Sequence, residues 1–267
     1  MLRTPAVAGQ FYDASPERLR AQVEACIEKD QARQSAFVLV CPHAGLIYSG
    51  RVAGAVYSRV QIPSTILLIG PNHTGLGPSV SIYAEGGWAM PNGTVPIARE
   101  LAAAVLKRCP IAQADTKAHQ FEHGLEVQLP FLQYLRADIA VVPVIMMSID
   151  LSVCRKLGEA VADAASEMGE PVLIIASTDM THYEPDPVAR QKDRMAIEQI
   201  LSLDPPGLHR IIRSQQISMC GFAPTVAALF AALRLGAKQA RLVKYMTSGE
   251  TSGDYEQVVG YAGLIID

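Results

Sequence analysis

The amino-acid sequence predicts an α/β fold, a three-layer α/β/α sandwich with a mostly parallel central sheet. Short apolar runs recur along the 267 residues, and most are continuous rather than alternating, as in strands covered on both faces. Helix-like segments separate these runs, and strands that alternate with helices form parallel sheets with helices on both sides. No linker, repeat or shift in composition divides the chain, so we expect a single domain over residues 1–267.

The individual elements follow from local signals along the chain. Ser15 and Pro16 are typical of a helix start, and this helix is expected to reach about Lys29. The predicted strands are the apolar runs at 36–41, 64–70, 137–147, 171–177, 240–246 and 257–266. The predicted helices lie at 50–59, 97–108, 124–135, 152–168, 187–202 and 222–235. Residues 79–96 combine short apolar stretches with turn residues, which indicates a β excursion after the second central strand.

Composition limits the classes of function. The formal charge is −3 and the basic residues are scattered, so no nucleic-acid surface is indicated. No segment approaches the ~20 apolar residues that span a bilayer, and the N-terminus lacks the pattern of a signal peptide. Five widely spaced cysteines without a CxxC pair are typical of reduced thiols. We therefore expect a cytoplasmic protein that binds neither nucleic acid nor membrane.

Three predicted strands end in a histidine within a few residues, in a chain with six histidines. His43 follows the run 36–41, His73 follows 64–70, and His182 follows 171–177. Ligands bind beyond the carboxyl ends of parallel strands, so the three imidazoles converge on one crevice if these strands are neighbours. Neutral imidazole is a common ligand of transition metals. The alternative, a histidine that only decorates a loop, is favoured for any one alone but not for three at equivalent strand ends.

Cys220 and the segment 118–135 add further candidates. Cys220 lies just before the helix predicted at 222–235, and a helix N-terminus favours a thiolate. A small buried cysteine is an equally good interpretation when the histidines are left aside. In the second segment His123 and Glu126 are three residues apart and share a helical face, so Glu126 is a candidate to orient an imidazole. The alternative is a solvated first turn whose acidic residues suit the helix dipole.

Taken together, these residues resemble the Memo family, the middle component of the AmmeMemoRadiSam group. The matching segments run from near the first residue to near the last: RTPAVAGQFY, CPHAGLIYSG, LLIGPNHTG, EHGLEVQLPFL, STDMTHY, CGFAP and SGDYEQVVGYAG. That family resembles the catalytic subunit of class III extradiol ring-cleaving dioxygenases in fold. The resemblance implies an extradiol-dioxygenase-like sandwich with one active-site crevice.

The resemblance also implies residue roles. His43, His73 and Cys220 would be the metal ligands. Asp179 and His182 would be catalytic residues in the same pocket, with His182 in the place of the dioxygenase acid/base histidine. The residues implied as pocket walls, beside the two ligand loops, are Tyr48 and Asn72.

One departure from the dioxygenases changes the expected chemistry. They hold Fe(II) with two histidines and a carboxylate, whereas Cys220 would be the third ligand here. A thiolate is softer and more electron-donating, which favours copper or iron in a different electronic state. We therefore do not carry over catechol cleavage. The expectation is a metal-dependent redox enzyme with iron (Fe²⁺) or copper that acts on a small molecule.

A second function class stays open. Family members in animals are linked to binding phosphotyrosine-containing receptor peptides, which suggests a non-catalytic binding or scaffold protein with a vestigial pocket. Family members in microbes are commonly grouped with a radical-SAM protein and a small partner domain. Proteins of that radical-SAM system are therefore expected partners.

Overall fold

A mixed sheet of nine strands forms the centre of the protein, and a second, three-stranded sheet lies beside it. The structure is a computed structural model that describes residues 1–267. The strands are β1 (Leu2–Arg3), β2 (Val38–Cys41), β3 (Thr65–Pro71), β4 (Val80–Ile82), β5 (Gly87–Met90), β6 (Gly93–Pro96), β7 (Gln113–Ala114), β8 (Ala140–Met146), β9 (Val172–Ser177), β10 (His182–Glu184), β11 (Ala240–Thr247) and β12 (Val258–Ile266). The helices are α1 (Pro16–Cys26), α2 (Leu46–Tyr57), α3 (Arg99–Arg108), α4 (Leu129–Leu135), α5 (Leu151–Ser166), α6 (Asp186–Leu201), α7 (Pro205–Ser214), α8 (Phe222–Leu235) and α9 (Gly249–Ser252).

The large sheet has a parallel centre and antiparallel edges. Its order is β10-β12-β2-β9-β3-β8-β4-β7, and β11 pairs with β12. The four neighbours β2, β9, β3 and β8 are parallel. Strand β12 runs antiparallel to the strands beside it, whereas β4 runs antiparallel to β8 and parallel to β7. Strands β11 and β12 are joined by residues 248–257 and pair antiparallel, because a parallel pair needs a crossover of about a dozen residues or more. The sheet is therefore mixed rather than strictly parallel.

Helices cover both faces of this sheet. Along β2, Val38 and Val40 belong to one apolar core, whereas Leu39 and Cys41 belong to a second. Side chains alternate between faces along a strand, so the two cores lie on opposite sides of the sheet. The first core packs against α3, α5, α6, α7 and α8, and the second against α1, α2 and α4. This confirms the three-layer sandwich expected from the continuous apolar runs.

The predicted elements correspond closely to the observed ones. Each of the six apolar runs overlaps a strand, and each predicted helical segment overlaps a helix. Helix α1 ends at Cys26, earlier than the expected Lys29, and α2 begins at Leu46, before the predicted segment 50–59. The segment 124–135 differs in detail, because a single 3₁₀ turn at Glu126–Gln128 comes before α4. The β excursion at 79–96 divides between two sheets: β4 joins the large sheet, and β5 and β6 form the small sheet with β1. None of the helices is long and apolar enough to cross a bilayer.

The order of the parallel strands positions the candidate site. Strands β2, β9 and β3 are adjacent, and the loop after each contains or leads to one of the histidines singled out from the sequence: His43 and His73 lie in their loops, and His182 begins β10. Because parallel strands end at the same edge of a sheet, these loops meet there. The condition that the sequence left open, that the strands are neighbours, is therefore met.

Candidate metal centre

His43 lies directly beyond the carboxyl end of β2, and its ring is fixed through Nδ1. This nitrogen is 2.9 Å from Oγ of Ser177, the last residue of β9. The Ser177 hydroxyl donates its own proton to the carbonyl oxygen of Gly124 at 2.5 Å, so it accepts from His43, and Nδ1 carries the ring proton. The lone pair of the imidazole is therefore at Nε2, the nitrogen free to bind a metal ion.

His73 follows β3, and Glu122 fixes it with both carboxylate oxygens. Oε2 accepts the backbone N–H of His73 at 2.7 Å, and Oε1 accepts Nδ1–H of its ring at 2.7 Å. Burial raises the pKa of Glu122, but the hydrogen bonds and charge of His73 and the N–H of Gly124 outweigh it and lower the pKa to about 2. The carboxylate stays ionised and leaves Nε2 of His73 free, as in many metal-binding histidines.

The structure brings His43, His73 and His123 together. Their potential ligand atoms all lie within 4.8 Å of one another. Burial and then the charge of His73 lower the pKa of His43 to about 3, and burial and then the charge of His43 lower that of His123 to about 4. These two rings are therefore neutral near neutral pH and keep a lone pair. His43 is 2% exposed, whereas the side chains of His123 and His73 are 23% and 32% exposed, so the cluster is open to solvent on one side.

Cys220 adjoins this cluster. Its Sγ lies 3.3 Å from Nε2 of His43 and accepts the backbone N–H of Asp179 at 3.2 Å. Burial and then the charge of Asp179 raise the pKa of the thiol, which corrects the expectation that the helix N-terminus alone favours a thiolate. The reason is that α8 begins only at Phe222, and the free N–H of Gly221 donates to Thr178 Oγ1 rather than to the sulfur. A metal ion at this position would have to displace the thiol proton.

Asp179 lies in the loop that follows β9, and His182 is the first residue of β10. Oδ1 of Asp179 accepts the backbone N–H of His43 at 2.7 Å, so this carboxylate holds the His43 loop. The backbone N–H of His182 donates to Ser218 Oγ at 2.8 Å. Nδ1–H of His182 donates to the carbonyl oxygen of Ser218 at 3.0 Å. The carbonyl oxygen of Ser218 therefore sets the tautomer of His182 and leaves its Nε2 free.

The predicted role of Glu126 is corrected by the structure. Its carboxylate is fully buried and pairs with Arg3 at 2.6 Å instead of with a histidine. The expected helical spacing to His123 does not apply, because the helical turn begins only at Glu126 and His123 lies in the loop before it. Glu122, in that same loop, orients the imidazole of His73.

Tyr48 and Asn72 were expected as pocket walls. Tyr48 is 38% exposed in the first turn of α2, which begins three residues after His43. The Asn72 side chain instead closes the loop of His73: Oδ1 accepts the N–H of Gly75 at 2.8 Å, and Nδ2 donates to the carbonyl oxygen of Leu76 at 2.7 Å. Its contacts are those of a loop residue rather than of a wall.

The donor atoms fit a transition metal. Imidazole nitrogens from His43, His73 and His123 lie beside the sulfur of Cys220, and the carboxylate of Glu122 is occupied as the acceptor for His73 and the N–H of Gly124. Nitrogen and sulfur donors suit iron, copper or zinc, whereas magnesium and calcium take oxygen. The Nε2 lone pair of His43 is already free, because Ser177 accepts its ring proton. For His73, burial lowers the pKa but the hydrogen bond and charge of Glu122 outweigh it and raise the pKa, so a metal ion at Nε2 would displace a proton. The residues present therefore fit a single transition-metal ion.

Sequence reasoning missed the residues that orient the rings. Glu122 belonged to the singled-out cluster, but the orienting role was expected of Glu126. Ser177 and Gln128 also support the site: Nε2 of Gln128 donates to Ser177 Oγ and to the carbonyl oxygen of Pro42, both at 2.9 Å. The available signal was the position of Ser177 at the end of an apolar strand, where side chains border the crevice.

Chemistry rather than cavity size identifies this site. A cleft of about 510 Å³ lies at the opposite edge of the sheet, where Phe37 precedes β2, Val172 begins β9 and Asp267 follows β12. The one cluster of three metal-ligating side chains in the molecule lies at the carboxyl edge instead. The cleft lined by Phe37 offers no comparable set of donors.

Comparisons with known proteins identify one family. A family model described as Memo-like protein matches residues 3–265. The chain is 44% identical to a MEMO1 family protein of Methanopyrus kandleri, over 99% of both chains. It is 42% identical to one of Methanosarcina barkeri over 100% of both, and 39% identical to one of Sulfolobus acidocaldarius over 99% of both.

A solved structure shares the fold. The crystal structure of an uncharacterized protein from Escherichia coli K12 superposes with a TM-score of 0.60 and covers 85% of this chain and 98% of its own. The two sequences are 15% identical, so this similarity concerns the fold alone.

Proposed function

The chain belongs to the Memo-like family, and on that premise we propose that it is a metal-dependent redox enzyme. One iron or copper ion is held by His43, His73 and Cys220, and a small molecule binds beside it. The observation that carries this proposal is the arrangement of free donor atoms: Nδ1 of both histidines is occupied by an acceptor, and Nε2 of His43 lies 3.3 Å from Cys220 Sγ. Ligands bound to one ion approach each other at about this distance.

A bound iron or copper ion would supply the redox chemistry, and the chain's own residues would handle protons and geometry. His182 is suited to take and return a proton at Nε2, because its Nδ1–H is occupied by the Ser218 carbonyl. Asp179 holds the loop of His43 through the backbone and donates its own N–H to Cys220 Sγ. His123 borders the open side of the cluster, where a bound molecule meets the imidazole ring.

The first experiment is anaerobic metal analysis by mass spectrometry on the purified protein and on single-residue variants. We expect about one iron or copper ion per chain in the wild type, and loss of the ion in His43→Ala, His73→Ala and Cys220→Ser. His123→Ala is expected to retain it. His209→Ala is the matched control, because His209 lies in α7 and its Nε2 bonds the carbonyl oxygen of Ile149.

The outcomes separate the alternatives. Loss of the ion in His123→Ala together with retention in Cys220→Ser would replace the proposed ligand set with three histidines. A wild-type protein that binds no metal tightly would overturn the redox proposal and favour a binding or scaffold protein with a vestigial pocket. If the ion binds as expected, consumption of oxygen with candidate small molecules is the next measurement.

A further inference from the structure

The segment formed by residues 3–12 makes a network of contacts around Glu126. This carboxylate is fully buried. Oε2 accepts from Nη1 of Arg3 at 2.6 Å and from the N–H of Ala6 at 2.8 Å, and Oε1 accepts from the N–H of Val7 at 3.1 Å and the hydroxyl of Tyr12 at 2.5 Å. All four donors belong to the N-terminal segment, so Glu126 ties that segment to the chain just after His123.

Arg3 uses the rest of its guanidinium on the backbone next to the metal centre. Its Nε–H donates to the carbonyl oxygen of His119 at 2.6 Å, and its Nη2 donates to that of Glu122 at 2.6 Å. Arg3 is 5% exposed, and its guanidinium lies 4.0 Å from the centre of the Trp88 ring. One planar group therefore holds the segment 119–126 at three points, on both sides of the loop that contains Glu122 and His123.

Phe11 extends the contact to the histidines themselves. Its ring packs edge-on against His123, with 4.8 Å between the ring centres. Its carbonyl oxygen accepts the N–H of Leu46 at 2.8 Å, at the start of α2 and three residues after His43. The N-terminal segment thus contacts the loop of His123 on one side and the loop of His43 on the other.

The charged character of this contact needs an explanation other than stability. A buried ion pair contributes little net stability relative to apolar residues of similar volume, because desolvation offsets the attraction. An arginine fork, in contrast, fixes several acceptors in one plane, which an apolar side chain or a lysine cannot do. Placement of the segment 119–126 is therefore the better explanation for Arg3 and Glu126.

We propose that Arg3 and Glu126 are positioning residues of the metal centre, which hold Glu122 and His123 where they orient and border the metal ligands. The inference rests on the proposed metal site. Neither residue touches the ion: Arg3 fixes the backbone of Glu122, Glu122 fixes the ring of His73, and His73 presents Nε2. The N-terminal segment is in this sense a part of the site.

The test compares two lysine substitutions. Arg3→Lys keeps the charge beside Glu126 but cannot donate to both carbonyl oxygens at once. Arg59→Lys is the matched control, because Arg59 also joins a glutamate, Glu28, and a backbone carbonyl, that of Ala55, away from the site. We expect Arg3→Lys to weaken cobalt(II) binding by about 10-fold and to change the visible spectrum of the bound ion, whereas Arg59→Lys does neither.

A double variant separates positioning from stability. Arg3→Met with Glu126→Gln removes both buried charges and keeps a side-chain oxygen as an acceptor for the donors of the N-terminal segment, so the fold is expected to persist. Cobalt(II) binding is expected to stay weakened in this variant. Wild-type affinity in both the double variant and Arg3→Lys would overturn the proposal.

A measurement on the metal-free protein keeps this inference distinct from the proposed function. The Nδ1–H of His73, which donates to Glu122, should give a protected proton signal in NMR spectra of the wild type. We expect that signal to shift or exchange faster in Arg3→Lys and to be unchanged in Arg59→Lys. Wild-type protein that binds no metal but shows this change would refute the metal site and retain the positioning role, whereas an unchanged signal in Arg3→Lys would refute the positioning role.

Discussion

At the residue scale, three histidines are held through the same ring atom by three different acceptors. Nδ1–H of His43 donates to a hydroxyl, that of His73 to a carboxylate, and that of His182 to a backbone carbonyl. An imidazole that donates at one nitrogen keeps its lone pair at the other. Each ring therefore presents Nε2, and the acceptors determine the chemistry of the cluster as much as the histidines do.

Ser177 offers a direct test of this arrangement. Ser177→Ala removes the acceptor for Nδ1–H of His43 and the donor to the carbonyl oxygen of Gly124. We expect metal affinity to fall by about 10-fold, because the His43 ring loses its fixed tautomer and orientation. The measurement is competitive metal titration at neutral pH.

Ser166→Ala is the matched control for that substitution. The Ser166 hydroxyl also donates to a backbone carbonyl, that of Ala162 in α5, far along the chain from the histidine loops. Its affinity for the metal should equal that of the wild type. Equal affinities in Ser177→Ala and Ser166→Ala would show that the hydroxyl does not orient His43.

At the element scale, the start of α8 packs tightly against the end of β9, and this contact requires glycine. A Cβ atom on Gly221 would lie 2.4 Å from the carbonyl oxygen of Ser177 and 2.5 Å from Cβ of Thr178. Neither neighbour is the end of a flexible side chain, so the backbone itself would have to shift. Because Cys220 comes immediately before this glycine, the close approach of α8 sets where the sulfur lies.

Gly221→Ala is expected to damage the metal centre as well as stability. The added methyl group forces the start of α8 away from β9 and carries Cys220 with it. We expect a loss of about 1–3 kcal/mol in the free energy of unfolding, as for other overpacked sites, and at least about 10-fold weaker metal binding. Urea unfolding and metal titration measure the two effects.

Gly169→Ala controls for general destabilisation. Gly169 has φ +71°, which costs alanine about 1 kcal/mol or more, but no atom lies within 4 Å of an added Cβ. This variant should lose stability and keep wild-type metal affinity. If both variants bind the metal equally well, the position of Cys220 does not depend on the contact between α8 and β9.

At the scale of the whole molecule, the Glu122–His73 pair links stability to pH. Burial alone would raise the pKa of Glu122, but His73 and backbone N–H groups lower it from the ordinary 4.5 to about 2. For His73, burial lowers the pKa, and the hydrogen bond and charge of Glu122 outweigh it and raise the pKa above the ordinary 6.5. Folding therefore favours the ionised carboxylate and the protonated imidazole in the metal-free protein.

The opposite directions of these two pKa shifts define the pH range in which the pair stabilises the fold. The contribution of Glu122 is complete above its unfolded pKa of 4.5 and is lost as pH falls toward 2. The contribution of His73 is complete below 6.5 and is lost as pH rises through its raised folded pKa. The pair therefore stabilises the metal-free protein most between pH 4.5 and pH 6.5, the two unfolded pKa values.

Glu122→Gln should remove this dependence. We expect wild type to exceed the variant by on the order of 2 kcal/mol in free energy of unfolding near pH 5 to 6, and the difference to shrink on either side. Urea unfolding in the presence of a metal chelator, at several pH values, measures it. A difference that does not vary with pH would contradict the assigned pKa shifts.

The sequence alone predicted the architecture and two of the three histidines that meet, His43 and His73, whereas the third is His123 rather than His182. Continuous apolar runs such as 64–70 require cover on both faces, and this physical need predicts strands between two layers of helices. The histidines at the strand ends followed from the same pattern, since parallel strands finish at one edge. The reversed direction of β12 and the split of residues 79–96 between two sheets were not predicted, because strand pairing depends on partners distant in sequence.

The tertiary structure decided how each functional group is oriented. Glu122, rather than Glu126, orients a histidine ring. The helical turn begins only at Glu126, so helical spacing does not place Glu126 and His123 on one face. Burial, which no local pattern reveals, raised the pKa of the Cys220 thiol. The buried carboxylate of Glu126 pairs with Arg3, a residue far from it in the chain. Sequence periodicity determines which residues reach the carboxyl edge of the sheet, whereas hydrogen bonds between residues far apart in the chain decide which nitrogen, oxygen or sulfur atom is left free there.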